Sequence, residues 1–277
     1  MKVIENQTFS KERDFYGSEN IKLINCTFKG IEDGESAFKE AKNIEIESCL
    51  WDLRYPFWHD TNLSIKSTEL TSNCRAALWY SNNIQISDSK LHGIKALREC
   101  SNIEIVNSDI ISPEFGWFNN NIEMKDTSVT GEYFMMRSNE LNFDNVTLKG
   151  KYSFQYIEDS IFTNCNFDTK DAFWHGKNIV VKDSVIKGEY LAWYAENLTF
   201  INCKIIGTQP LCYCKNLTLL NCEMIDCDLS FEKSDVKAEI TSNVISIKNP
   251  TSGYIKVPSV NELIIDDENS KCLIKIG

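Results

Sequence analysis

No stretch of this chain approaches the roughly 18 apolar residues that a membrane span requires, so a transmembrane helix is excluded at the outset. No ten-residue window carries an uninterrupted amphipathic period, which removes leucine-rich and helical repeats. Positive charge is scarce. Lys and Arg number 29 against 40 Asp and Glu, giving a net charge of −11 and a pI near 4.9, which argues against nucleic acid and anionic membrane as partners. There is no glycine-rich phosphate loop, zinc-type spacing or nucleophile elbow. There is also no dense Asp cluster of the kind a Ca²⁺-dependent lyase uses. No leader is expected ahead of the fold, since Asn6 and Phe9 already stand one period before Asn25 and Phe28. Eleven cysteines, an odd number with several in small-residue positions, read as reduced thiols of a cytoplasmic protein. Cys212-Tyr213-Cys214 is a poor metal site, and no metal or cofactor is expected.

What the chain has is a repeat. In Asn102-Ile103-Glu104-Ile105-Val106-Asn107-Ser108-Asp109-Ile110, apolar residues fill the second and fourth places. The same pattern opens at 83, 102, 121, 140, 159, 178, 197, 216 and 235, each step 19 residues. The steps from Asn20 to Asn43 (23) and from Asn62 to Asn83 (21) carry insertions of 4 and 2. Ile21 and Leu23, Ile44 and Ile46, Ile84 and Ile86, and Ile103 and Ile105 alternate with polar residues, the mark of a half-buried strand. A second apolar place recurs at Phe28, Leu70, Leu91 and Ile110, after a small residue such as Cys26, Thr68, Ser89 or Ser108.

Short strands at this spacing, without helices, predict an all-β parallel solenoid of about twelve coils, each resting on the last at ~4.8 Å. One coil cannot bury its own apolar side; the stack does. The first-place asparagines, and the Asn, Asp or Ser at the sixth place, fall where the chain bends. Asn tolerates left-handed geometry there, and its side chains can bond up the axis as ladders. We read residues 1–277 as one domain, with regular coils to 233. Residues 234–277 supply the last irregular coils and a cap over the open end. Glu32-Asp33-Gly34-Glu35-Ser36 reads as a protruding loop.

A second segment precedes each repeat start and is read as a second strand. Its third column is apolar: Phe57, Leu78, Leu97, Gly116, Met135, Phe154, Phe173, Ala192 and Leu211. The fourth holds Trp58, Trp79, Arg98, Trp117, Met136, Gln155, Trp174, Trp193 and Cys212. Arg98 and Gln155 cannot enter a core without partners. Alternation along a strand therefore turns the fourth column, with five of six tryptophans, outward. His59, Tyr80, Glu99, Phe118, Arg137, Tyr156, His175, Tyr194 and Tyr213 stand beside it. The opposite assignment puts the Trp column in the core and exposes Phe57, Phe154 and Phe173 instead. His92, away from the stripe, reads as a surface residue.

The runs Tyr55-Pro56-Phe57-Trp58-His59, Arg75-Ala76-Ala77-Leu78-Trp79-Tyr80, Tyr152-Ser153-Phe154-Gln155-Tyr156, Gly207-Thr208-Gln209-Pro210-Leu211-Cys212-Tyr213 and Lys248-Asn249-Pro250-Thr251-Ser252-Gly253 resemble those of the bacterial domain-of-unknown-function family DUF3737. The resemblance spans essentially the whole chain. It implies a right-handed, single-stranded parallel β-helix similar in architecture to pectate lyases, and brings no catalytic residues with it.

Three functions compete. In the first, the stripe binds a glycan or sugar derivative through Trp58, His59, Trp79, Tyr80, Arg98, Glu99, Trp117, Arg137, Gln155, Tyr156, Trp174, His175, Trp193 and Tyr194, with rings stacked on sugar faces. In the second, Arg98, Glu99, Arg137 and His175, with Tyr156 nearby, catalyse a lyase, hydrolase or epimerase reaction. In the third, the stripe is a structural or protein-interaction surface, a homo-oligomer among its outcomes.

Overall fold

The computed structural model describes residues 1–30 and 35–277; Glu32, Asp33 and Gly34, where a protruding loop was expected, lie outside them. The chain is an all-β parallel solenoid of about fourteen turns at about 19-residue spacing. Among the described residues there is no helix, and so none long and apolar enough to cross a membrane. The count exceeds the expected twelve because the irregular C-terminal stretch forms further coils. Asp235–Ile240, Ser252–Val257 and Leu273–Ile276 continue the parallel pairing, with the step from Asp235 to its partner Ser252 shortened to 17. Contacts divide the chain into two compact units, Met1–Asn139 and Glu140–Gly277.

In the first unit the long strands Glu19–Ile24, Lys42–Glu47, Thr61–Lys66, Asn82–Ser87, Ser101–Val106 and Asn120–Lys125 stack in parallel. The two-residue alternation sets the register: Ile84 pairs with Ile103 and Ile86 with Ile105, all buried. Each such side chain contributes about 1.5–3 kcal/mol relative to exposure. The repeat-opening asparagines turn the chain in left-handed geometry, with φ of 54° at Asn43, 59° at Asn62 and 58° at Asn83. Their amides form the expected ladder: Asn62 Nδ2 donates to Asn43 Oδ1 (2.8 Å), Asn83 to Asn62 (2.9 Å), Asn102 to Asn83 (3.1 Å) and Asn121 to Asn102 (2.9 Å). The small column satisfies buried backbone groups. Thr68 N–H donates to Ser89 Oγ (3.1 Å), and Ser89 N–H to Ser108 Oγ (3.2 Å). Aromatic packing fills the first coils, with Phe28 stacked on Trp51 at 3.8 Å. Trp51 is the one tryptophan outside the stripe, and it is buried.

In the second unit Glu158–Thr163, Lys177–Lys182, Glu196–Ile201 and Leu217–Ile225 repeat the arrangement. Asn197 donates to Asn178 (2.9 Å) and Asn216 to Asn197 (2.9 Å). Phe154, Phe162, Phe167 and Phe173 form its core, Phe154 stacked on Phe173 at 5.1 Å.

The segment before each repeat is the expected second strand in some coils and a turn in others. Phe57–Trp58, Leu78–Trp79 and Leu97–Arg98 form a three-stranded parallel sheet. In the second unit the matching segments are turns, because the third-column residue itself adopts left-handed geometry: φ is 60° at Phe154 and Phe173, 59° at Ala192 and 63° at Leu211. These residues are buried in both units, as expected. Gly116 holds this column at φ 81°, and a Cβ there would lie 2.3 Å from Met135 Sδ.

Candidate functional site

The fourth column points outward, but its rings are half-buried rather than laid open. Each indole is fastened to the backbone of the coil above. Trp58 Nε1–H donates to the Ala76 carbonyl (2.7 Å), Trp79 to Lys95 (2.8 Å) and Trp117 to Tyr133 (2.7 Å). In the second unit Trp174 donates to Tyr190 (2.6 Å) and Trp193 to Gln209 (2.8 Å). Gln155 makes the same bond with its amide, to the Asp171 carbonyl at 3.3 Å. A buried carbonyl left unpaired costs about 1–3 kcal/mol, so the column stabilises the backbone whatever else it does.

The rings also cover one another. Trp58 and Trp79 stack at 5.1 Å and 3°, and the Arg98 guanidinium then lies between Trp79 (5.1 Å) and Trp117 (5.6 Å). Trp174 and Trp193 stack at 5.4 Å and 1°. The neighbouring column forms its own stacks: His59 on Tyr80 (4.8 Å) in the first unit, and Tyr156, His175, Tyr194 and Tyr213 at 4.8, 5.1 and 4.8 Å in the second. Ring contact at ~3.5 Å within a coil rise of ~4.8 Å tilts each ring by roughly 45°. The two columns tilt in opposite senses, and Trp79 and Tyr80 stand at 88°. The rings are shingled, so that stacked neighbours cover one another's faces.

The fifth-column residues sit at left-handed corners, with φ of 61° at His59, 59° at Tyr80, 50° at Glu99, 55° at Arg137 and His175, 58° at Tyr156 and 61° at Tyr194. This geometry swings Glu99 back toward its neighbour, so that Arg98 Nε lies 3.3 Å from Glu99 Oε1. The catalytic candidates therefore divide. Arg98 and Glu99 meet in the first unit, where Arg137 is exposed at the same corner two coils on; His175 belongs to the second unit's ring stack. One residue of the outward column is corrected. Cys212 is buried, its thiol directed at the carbonyls of Gln209 and Leu229 (both 3.6 Å), because a small apolar side chain gains by turning inward where an indole cannot fit. Cys214, two residues on, is buried as well.

Several groups with displaced pKa lie inside the coils. Burial pushes the carboxyl of Asp60 up to about 8, and burial raises Asp171 as well. Burial lifts the thiols of Cys49 and Cys165 to about 11, which removes them as nucleophiles. All eleven cysteines are free. Among the described residues no three His, Cys, Asp or Glu side chains gather to hold a metal ion. His92 is half-buried, its Nε2 lying 2.8 Å from Asp109 Oδ2.

A feature that sequence reasoning missed lies along the long strands of the first unit. A groove of about 590 Å³ runs beside the Asn ladder, over Ser64, Gln85, Glu104 and Glu123. Its sequence signal was the polar column between the core isoleucines.

No curated protein matches the chain by sequence. Among solved structures it is similar to a double mutant of the periplasmic alginate epimerase AlgG (10% identity, 94% of this chain and 78% of that chain covered, TM-score 0.36). It is also similar to the A-module of the Azotobacter vinelandii mannuronan C-5 epimerase AlgE4 (9% identity, 99% and 86% covered, TM-score 0.29). A family model described as "Protein of unknown function (DUF3737)" matches residues 2–276.

Proposed function

We propose, for a chain that belongs to the DUF3737 family, a non-catalytic role: holding an extended polyhydroxylated chain, a carbohydrate or sugar derivative, edge-on against the rim of the ring stacks. The observation that carries this reading is the column Tyr156, His175, Tyr194 and Tyr213, four rings in sequence at 4.8–5.1 Å. Tyr194 is 48% exposed. Hydroxyl and imidazole groups thus recur at the coil rise of ~4.8 Å, an interval close to the advance of one sugar ring in an extended chain. Interior ring faces are covered, so hydrogen bonds to sugar hydroxyls replace the face stacking expected from sequence.

Binding is favoured over turnover by the state of the acid–base candidates. Arg98 is clamped between two indoles and Glu99 is occupied by Arg98. A proton carrier must reach the group it serves at about 2.6–3.2 Å, and Arg98 and Glu99 are each engaged with neighbours in this arrangement. The free thiols favour a cytoplasmic setting.

The test is a tryptophan-fluorescence and calorimetric titration with a panel of oligosaccharides. Tyr194→Phe keeps the ring and removes the hydroxyl, and is expected to weaken binding 3–10-fold with an unchanged Tm. A silent panel, or a Tyr194→Phe variant that binds as tightly as the parent, overturns the reading.

A further inference from the structure

Three residues beyond the rim corner, each coil of the first unit enters its long strand through a ladder asparagine. An amide has two N–H donors and two acceptor lone pairs. The ladder from Asn43 to Asn121 uses one of each per step. Asn102 spends its second donor on Asn82 Oδ1 (2.9 Å); the other ladder amides keep at least one donor and one acceptor each for a ligand.

A second polar column runs parallel to it. Glu45, Ser64, Gln85, Glu104 and Glu123 are register partners on successive strands, and both columns line the groove of about 590 Å³. The two combs repeat together at ~4.8 Å. A peptide strand advances ~3.3 Å per residue and falls out of step within two coils, whereas an extended pyranose chain advances by about one ring per coil.

The side-chain charge of the groove is negative, with one α-amino group, that of Met1, also at its lining. Glu45, Glu104 and Glu123 line it, and neither Lys nor Arg does. Glu45 is offset by Lys22 at 3.5 Å, but Glu104 faces Glu123 directly in register, an arrangement that repels like charge. Elsewhere in the unit, acidic residues are paired across coils with lysine, as in Lys90–Glu69 (3.9 Å) and Lys95–Glu114 (3.2 Å). A polyuronate laid here adds one carboxylate per ring to a field already negative.

We infer that this groove is a second binding track, selective for an uncharged polyhydroxylated chain over a polyuronate. It extends the carbohydrate reading to a different set of side chains, so the two stand or fall separately. Calorimetry on the full chain compares a neutral β-linked hexaose with an oligogalacturonate of equal length, on the parent and on Gln85→Lys/Glu104→Lys. The parent is expected to prefer the neutral oligomer by at least tenfold. The double variant is expected to lose or reverse that preference while melting within a few degrees of the parent. If it melts early, the single variant Ser64→Lys replaces it. Tyr194→Phe is expected to leave the preference intact. A parent that binds neither oligomer, that binds both alike, or that keeps its preference after lysine substitution overturns the groove assignment. A groove variant that shifts the preference while Tyr194→Phe changes nothing overturns the rim alone.

Discussion

Asp60 Oδ1 accepts the backbone N–H of Ala41 at 2.8 Å, while Asp60 Oδ2 is buried without a hydrogen-bond partner. Three coils on, Asn119 repeats the pose: its Oδ1 accepts the Cys100 N–H at 2.7 Å and its Nδ2 is buried and unpartnered. The same inward column holds Ser81 and Ser138, so position 60 carries an acid where its neighbours carry neutral groups.

The first prediction follows from that acid. Burial raises the Asp60 carboxyl from the ordinary 3.8 to about 8, so at neutral pH it is protonated in the fold and ionised in the unfolded chain. Folding then takes up a proton, and stability falls as pH rises between those two values, by at most ~1.4 kcal/mol per pH unit. Above about 8 the loss levels off. Asp60→Asn removes the slope, as denaturant unfolding at pH 5, 7 and 9 will show. Parallel pH curves for parent and variant are the contrary result.

The indole ladder makes a second prediction. Trp174→Phe keeps the ring but leaves the Tyr190 carbonyl without its 2.6 Å donor, an expected loss of about 1–2 kcal/mol. Gln155→Trp places a ring beside Trp174 where the column has an amide, and is expected to gain about 0.5–1.5 kcal/mol. Calorimetric melting measures both.

Arg98 gives the third. Its flat guanidinium fills the place of an indole between Trp79 and Trp117. Lys has no planar group to insert, so Arg98→Lys is expected to lower stability by roughly 0.5–2 kcal/mol. Arg98→Trp is expected to preserve the stack and the fold. Melting and tryptophan emission report both outcomes, and an Arg98→Lys variant as stable as the parent contradicts the stacking role.

At Asn102 two costs can be separated. Asn102→Gly keeps the left-handed corner, φ 55°, and loses the ladder bonds to Asn83 and Asn121. Asn102→Ala loses both the bonds and the conformational tolerance, for an additional ~1 kcal/mol. Urea unfolding of the two variants should rank them parent, Gly, Ala.

Much of this architecture was legible because one property, the step from one repeat asparagine to the next, fixes corner, strand and ladder together. The burial of Phe57, Phe154 and Phe173 followed from the polar Arg98 and Gln155 beside them. The tilt of the rings was not legible, since it depends on fitting ring thickness into the coil rise, and a sequence records neither. Cys212 misled because its column was judged by its tryptophans. The coils after Ser234 were undercounted because a 17-residue step breaks the spacing before it breaks the pairing. Asp60 passed unnoticed because its column is defined by smallness, which only the neighbouring coils reveal.

Within each unit, the bonds that join coils connect residues a near-constant distance apart along the chain: 19 from Asn62 to Asn43, 19 from Asn216 to Asn197. No part of the topology requires remote segments to find one another. Loop-closure entropy is met in equal small instalments, and structure can spread outward from whichever coil forms first. Lengthening such a chain adds neighbours without raising the barrier to any single closure.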